Sequence, residues 1–371
     1  MTLPADPVRQ AVADAVDAGR APGAVWWVER GGVPVSHGAA GAAATEPERD
    51  AAAEDTVYDL ASLTKPLSTA LLAALLEGEG ALELDQACGR FLPELRRSPW
   101  SEVTLLELGT HRSGLPAWEP LYLSGTGRRS YLRAIAALAP TTTRGQVLYS
   151  DLGYIALGIA VERAAGRPLD VLFRERVATV LGLARTGFAV GDGPWARAAP
   201  TERGNAYERR LAGSRAGGAR FRDHLLRGEV HDGNAFGLGG VAGHAGLFGT
   251  AEEVARIARA ILSAAPNLAG LTSGARARLL SEQPAGSGRT FGFVTAAGST
   301  AAAGVLPPTA PGHVGFTGTS IWLLPGIDAV VVLLTNRVHP EVEDVDFQPV
   351  RLAFHRAAAG LLASAPGAPS A

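Results

Sequence analysis

Ser62 and Lys65 stand three residues apart in the run Tyr58-Asp-Leu-Ala-Ser-Leu-Thr-Lys65-Pro66, and Lys65 is the only lysine in the 371-residue chain. Of 34 lysines plus arginines the other 33 are arginine, so a plain positive charge is supplied by Arg throughout. Arginine does not deprotonate at ordinary pH, whereas a lysine in a dry, positively charged or dipole-rich site can shed its proton and serve as a base. A neutral amine beside a hydroxyl activates that hydroxyl as a nucleophile. A separation of three places both side chains on one face of a helix. The plainer alternatives are a lysine kept by chance on a helix and a serine that only caps it.

Two later segments add groups of the same kind. Tyr149-Ser150-Asp151 precedes the apolar run Leu152 to Ala165, where Asp151 could simply be a helix cap. His313-Val-Gly315-Phe316-Thr-Gly318 is a glycine-rich entry to a strand. His231, Asp232 and His244 raise the question of a metal, but their spacing follows no familiar ligand pattern, so no metal is expected. His111 and Trp118 follow a loop, where turn stabilisation and roofing of a pocket are both open. Cys88, the single cysteine, excludes an intramolecular disulfide and reads as a small core residue.

These groups need elements to hold them. Val8, Ala11, Val12, Ala15 and Val16 recur at helical spacing, which predicts an amphipathic helix over Pro7 to Ala18. Ala24 to Arg30 and Val33 to His37, joined by Gly31-Gly32, predict a β-hairpin with a tight primed turn. Ser320 to Leu324 and Asp328 to Thr335 form a second strand pair around Pro325-Gly326, and Pro349 to Leu362 reads as a closing helix. Leu67, Ala70, Leu71, Ala74 and Leu75 make the segment after Ser62 a buried helix, with Pro66 tolerated in its first turn and Ser62 at its N-terminus. Free N–H groups there could stabilise an oxyanion.

The middle of the chain is helical in texture with little strand signal. The expected organisation is therefore a discontinuous α/β domain from residues 1–76 and 236–363, with a mostly helical domain, 77–190, inserted. Residues 191–235 form an irregular connection; within it, Ala196 to Asp232 carries eight arginines against five acidic residues and reads as a solvated loop rather than an anion site. Residues 364–371 are expected to be a disordered tail. A cleft between two such domains is the expected place for a substrate.

Composition narrows the function. A net charge of -2 leaves no footprint for nucleic acid or an anionic membrane. No apolar run reaches the roughly 18 residues of a membrane span, and the N-terminus has no secretory signal pattern, so a cytoplasmic protein with a small-molecule substrate is expected. The oligomeric state is not legible.

In order and spacing, Ser62-x-x-Lys65, Tyr149-x-Asp151 and His313-x-Gly315 resemble the S-x-x-K, Y-x-N and K-T-G motifs of the serine β-lactamase and penicillin-binding protein superfamily. The likeness is greatest to class C β-lactamases and the related esterases and D-amino-acid peptidases. It extends through Glu83-Leu-Asp85, Phe91-Leu-Pro93, His111-Arg-Ser-Gly-Leu-Pro116 and Gly243-His-Ala-Gly-Leu-Phe-Gly-Thr250, from about residue 8 to about 360. The resemblance implies an α/β (α+β) fold, an antiparallel sheet flanked by helices and facing an all-helical part, with the serine at the boundary.

It also implies a cofactor-free serine hydrolase. Ser62 would attack a carbonyl to form an acyl-enzyme, Lys65 would help take its proton, and Tyr149 would share the proton path and protonate the leaving group. The N–H groups of Ser62 and Phe316 would form the oxyanion hole; Asp151, His313, Gly315 and His244 would meet the substrate, a small ester, amide or β-lactam.

Two positions depart from the family pattern. Asp151 stands where Asn is usual; a carboxylate only accepts hydrogen bonds and favours the charged form of Lys65. His313 replaces a lysine, which weakens attraction for a β-lactam carboxylate. Esters or amides are therefore expected ahead of β-lactams, with weak β-lactam hydrolysis possible. The alternatives are a peptidase or transpeptidase for D-amino-acid peptides of cell-wall origin and a non-catalytic binding protein on the same scaffold.

Overall fold

The computed structural model describes residues 6–190, 193–217, 219–263 and 267–364. Both ends of the chain build one seven-stranded sheet. In sequence the strands are β1 (Gly23–Arg30), β2 (Val33–Ala44), β3 (Asp50–Ala51), β4 (Tyr58–Asp59), β5 (Gly187–Phe188), β6 (Leu247–Gly249), β7 (Val294–Thr295), β8 (Pro311–Val314), β9 (Ser320–Leu324) and β10 (Ala329–Thr335). The large sheet runs β3-β2-β1-β10-β9-β8-β7, and every pairing is antiparallel. Val28 lies opposite Val331, so the first strand is joined to the last across the whole sequence.

Strand periodicity decides what each face meets. In β10, Val330, Val332 and Leu334 face the larger core, whereas Ala329, Val331 and Leu333 face a second core with Val8, Val12 and Phe354. The helices Pro7–Asp17 and Gln348–Ser364 pack on each other and cover that second face. Helix Ala251–Leu262 covers the other, burying Val254, Ile257, Ala258 and Ile261. Both hairpins and both terminal helices predicted from sequence are present, β2 running seven residues past His37. The α/β fold with an antiparallel sheet and flanking helices is thus as expected. Of the tail read as disordered, residues 365–371 lie outside the described residues, and Ser364 closes the last helix.

A smaller sheet, β4-β6-β5, was not apparent in the sequence because its strands are two or three residues long. It matters for function: Asp59 pairs with Phe248, and Leu60 N donates to Leu247 O at 2.9 Å, which pins the approach to Ser62.

The expectation of an ordinary helix beginning at Ser62 needs correction. Ser62 sits in a 3₁₀ turn, Ala61–Leu63, followed by a π-helical turn over Lys65–Ala70, and regular α-helix begins only at Leu71. Ser62 caps nothing, and Ala61 takes a left-handed φ of 48°. The Asp59 carboxylate accepts from Ala61 N at 2.8 Å and holds that turn. Wider turns of this kind are common at functional sites because they re-aim side chains. Among the described residues no helix is long and apolar enough to cross a membrane.

Candidate active site

Lys65 reaches Ser62 within a wholly buried environment. Its Nζ donates to Ser62 Oγ at 2.7 Å and to the His244 carbonyl at 3.3 Å, and lies 2.8 Å from Asp151 Oδ1. The lysine side chain is 0% exposed and that of Asp151 19%. Asp151 opens the buried helix Asp151–Ala165, whose N-cap is Ser150; its Oγ accepts from Gly153 N at 3.2 Å. Capping thus falls to Ser150 and leaves the Asp151 carboxylate for the lysine. Lys65 Nζ lies 4.8 Å from the centroid of the Tyr149 ring, and the Tyr149 hydroxyl interacts with both Lys65 and Ser62.

Burial pulls the Lys65 pKa down, but the carboxylate of Asp151 and the hydroxyl of Tyr149 outweigh it, and the net is a raised pKa. The expectation of a lysine that readily sheds its proton is therefore replaced by a lysine whose charged form is favoured, the direction in which an acidic residue at position 151 acts. Burial, opposed by Lys65, raises the Tyr149 pKa, so its hydroxyl is protonated at rest.

His313 comes from β8, where it pairs with Ile321. Its Nδ1 lies 2.8 Å from Val314 O; a carbonyl only accepts, so Nδ1 carries the proton. Nε2 is then a bare acceptor, buried without a partner among the described residues. Burial, with Lys65 and Arg289 close by, holds the His313 pKa well below the ordinary histidine value, so this position offers a neutral acceptor.

Gly315 lets β8 approach the nucleophile turn. A Cβ there would lie 2.1 Å from Thr319 Oγ1 and 2.9 Å from Leu60 O. Thr317 Oγ1 donates to Asp59 O and Thr319 Oγ1 to Leu60 O, at 2.9 and 3.2 Å, lacing the two segments together. Phe316 is fixed by His231, stacked at 5.5 Å, by Tyr207 at 5.0 Å and by Arg337, whose Nε donates to Phe316 O at 3.0 Å.

A cavity of about 690 Å³ joins these parts. Ser62, Tyr149, Asp151, His244, His313, Gly315 and Phe316, all singled out from sequence, line it; Lys65 stands behind them. Trp118 lines it too, and His111 lies beneath Tyr149 with ring centroids 4.5 Å apart. The three candidate metal residues are engaged otherwise: His244 Nε2 meets Asp232 Oδ1 at 2.8 Å, and His231 Nε2 meets Glu202 Oε2 at 3.0 Å. Among the described residues no group of three or more His, Cys, Asp or Glu side chains could hold a metal ion.

Sequence reading missed Arg289, Tyr207 and Glu208, which also line the cavity. Arg289 has no acidic partner among the described residues and stands 6.0 Å from the Tyr149 ring centroid; one arginine among 33 carried no signal. Tyr207 and Glu208 belong to the Arg-rich segment read as a solvated loop. That segment forms a helix, Ala206–Ala212, and buries Glu202, Glu208 and His231. Burial and the neighbouring Asp232 push the Glu208 carboxyl up to about 7.

The chain is similar to an N-acetylmuramyl-L-alanine amidase of Bacillus subtilis (strain 168), 29% identical over 79% of this chain and 71% of that one. It is 30% identical to a putative D-alanyl-D-alanine carboxypeptidase of Escherichia coli (strain K12), over 79% and 72%. Among solved structures, a beta-lactamase from Sulfitobacter sp. EE-36 superposes with a TM-score of 0.74 at 25% identity, covering 97% of this chain and 98% of that one. EstCE1, a hydrolase with promiscuous acyltransferase activity, shares the fold with a TM-score of 0.71 at 22% identity, covering 95% and 97%. The Beta-lactamase family model matches residues 8–354, and the chain belongs to that family.

Proposed function

We propose that this protein is a cofactor-free serine hydrolase that opens small esters or amides through an acyl-Ser62 intermediate. The observation that carries the reading is the 2.7 Å contact between Ser62 Oγ and Lys65 Nζ inside the cavity. Proton bookkeeping follows from the charges. Because Lys65 is protonated at rest, it must first release a proton, and the basic group beside it is the Asp151 carboxyl at 2.8 Å. As Ser62 attacks the carbonyl, its proton passes to Nζ. Tyr149 gives its proton to the leaving oxygen or nitrogen and recovers one from Lys65. In deacylation the same groups run in reverse with water. The N–H groups of Ser62 and Phe316 would hold the oxyanion, with Phe316 fixed on three sides as described.

Neutral His313 gives little attraction for the carboxylate of a β-lactam, so such substrates should turn over weakly. The test is hydrolysis of a short-chain p-nitrophenyl ester, a chromogenic cephalosporin and a D-amino-acid p-nitroanilide, each beside Ser62→Ala. Turnover that falls by about 10³-fold or more in the variant supports the reading; turnover untouched by the substitution sinks it. The absence of Ser62-dependent turnover on all three would favour a non-catalytic binding protein.

One observation favours a second reading, a carboxypeptidase acting on peptides that end in a D-amino acid. Arg289 places an unpaired guanidinium beside Tyr149, the group that would protonate the leaving amine, and could hold a free carboxylate on it. The Escherichia coli relative carries a name of that kind. A preference for D-alanyl-D-alanine peptides over their C-terminal amides, lost in Arg289→Gln, would support this; equal rates on both would exclude it.

A further inference from the structure

Tyr149 and Asp151 sit on one short segment, and the structure shows what holds that segment still. We propose that His111 is a positioning residue for Tyr149, acting through two backbone hydrogen bonds and the face of its ring; the proposal rests on the serine-hydrolase reading.

Leu148 N donates to His111 O at 2.9 Å and Ser150 N donates to His111 Nδ1 at 3.0 Å, so one residue grips the chain on both sides of Tyr149. The His111 ring lies against the Tyr149 ring at 4.5 Å and 35°, and against Tyr154 at 5.1 Å. A backbone N–H can only donate, so Nδ1 bears the lone pair and the ring proton is on Nε2. A charged imidazole would set one N–H against another and release the grip. Burial first, and then the nearby cations Arg289 and Lys65, hold the His111 pKa well below the ordinary value.

His111 also takes a left-handed φ of 59°. The chain turns there, and the residues that follow lie over the same segment, where Ser150 Oγ donates to Pro116 O at 2.6 Å and Asp151 N to Ala117 O at 2.8 Å. Residues 111–117 thus fix the backbone beneath both Tyr149 and Asp151 and leave the tyrosine hydroxyl to Ser62 and Lys65. Displacing a reacting group by about 1 Å can cost about 10²-fold in rate.

Two substitutions tolerate the left-handed backbone and differ in the acceptor. Asn carries Oδ1 at the branch position of Nδ1, whereas Gly offers nothing. On the p-nitrophenyl ester, His111→Asn should keep kcat within about threefold, and His111→Gly should lose about 30- to 100-fold in kcat with KM little changed. With ¹³Cζ-labelled tyrosine, the Tyr149 resonance, assigned through Tyr149→Phe, should shift or broaden in His111→Gly and return in His111→Asn. Tyr154→Phe, which removes a hydrogen bond to Gly109 O at 2.8 Å, serves as the stability control. Equal kcat in the Asn and Gly variants, or an unmoved Tyr149 resonance in His111→Gly, would overturn the proposal. Ser62→Ala separates the two failures: turnover that survives it refutes the serine mechanism, while the tyrosine resonance still decides the role of His111.

Discussion

Replacing Asp151 by Asn removes one charge from a pair whose other member is wholly buried. At 2.8 Å the attraction is about 6 kcal/mol at an effective dielectric of 20, an upper figure given the partial exposure of the carboxylate. Leaving a buried charge without its partner costs about 3–5 kcal/mol of stability near neutral pH. The sign of the pH dependence is the sharper test. In the wild type, Lys65 has a folded pKa above its unfolded value, so its contribution is fully present below the lysine reference of about 10.4 and is lost as pH rises through the folded pKa.

In Asp151→Asn, burial is left as the dominant influence and the folded pKa drops below the unfolded one. The stability of the variant then increases from neutral toward alkaline pH, where the wild type has nothing to gain from this residue. Urea unfolding of both proteins at intervals from pH 6 to 10 measures the difference, which should shrink as pH rises. If Lys65 is the base, the same change moves the ascending limb of kcat/KM, which reports loss of its proton, toward neutral pH. A stability difference flat across the range, together with an unmoved limb, would refute the assignment of Lys65 and Asp151 as a coupled pair.

Gly315→Ala should cost about 1–3 kcal/mol and most of the activity, because its Cβ would meet Thr319 Oγ1 and Leu60 O and push β8 from the nucleophile turn; thermal unfolding and ester hydrolysis together check this. Glu208 has its carboxyl pushed up to about 7 by burial and Asp232, above the unfolded value near 4.5, so stability is lost as pH rises between the two. Glu208→Gln should accordingly gain up to about 3 kcal/mol relative to wild type at pH 8 and nothing at pH 4, read from paired denaturation curves. Cys88 is fully buried, its Sγ donates to Trp100 O at 3.2 Å, and burial pushes its thiol up to about 12. A thiol-specific disulfide reagent at pH 8 should leave the native protein unmodified and react with one equivalent after unfolding.

Much of the framework was written locally. The continuous apolar, β-branched run from Ala329 to Thr335, Gly31-Gly32 between two β-rich runs and the helical spacing from Val8 to Val16 each depend on residues a few positions apart, so one sequence suffices to read them. Ser62 and Lys65 stood out because the chain's one lysine lies three residues from a serine, whereas Tyr149 stood out only through the resemblance to the Y-x-N motif. The sequence even held the sign of the main departure: a carboxylate at position 151 stabilises a charged lysine.

What remained depended on atoms far apart in the chain. The left-handed Ala61 and the wide turn after it arise where Asp59, Thr317 and Thr319 lace two distant segments together, and no local propensity encodes that. The neutral state of His313 comes from burial and from Arg289 and Lys65, and the lock on Tyr149 from a loop nearly forty residues upstream. Arg289 and Glu208 looked like ordinary surface charges. Sequence determined which groups were available; tertiary structure decided which were desolvated together, and desolvation sets their charge and reach.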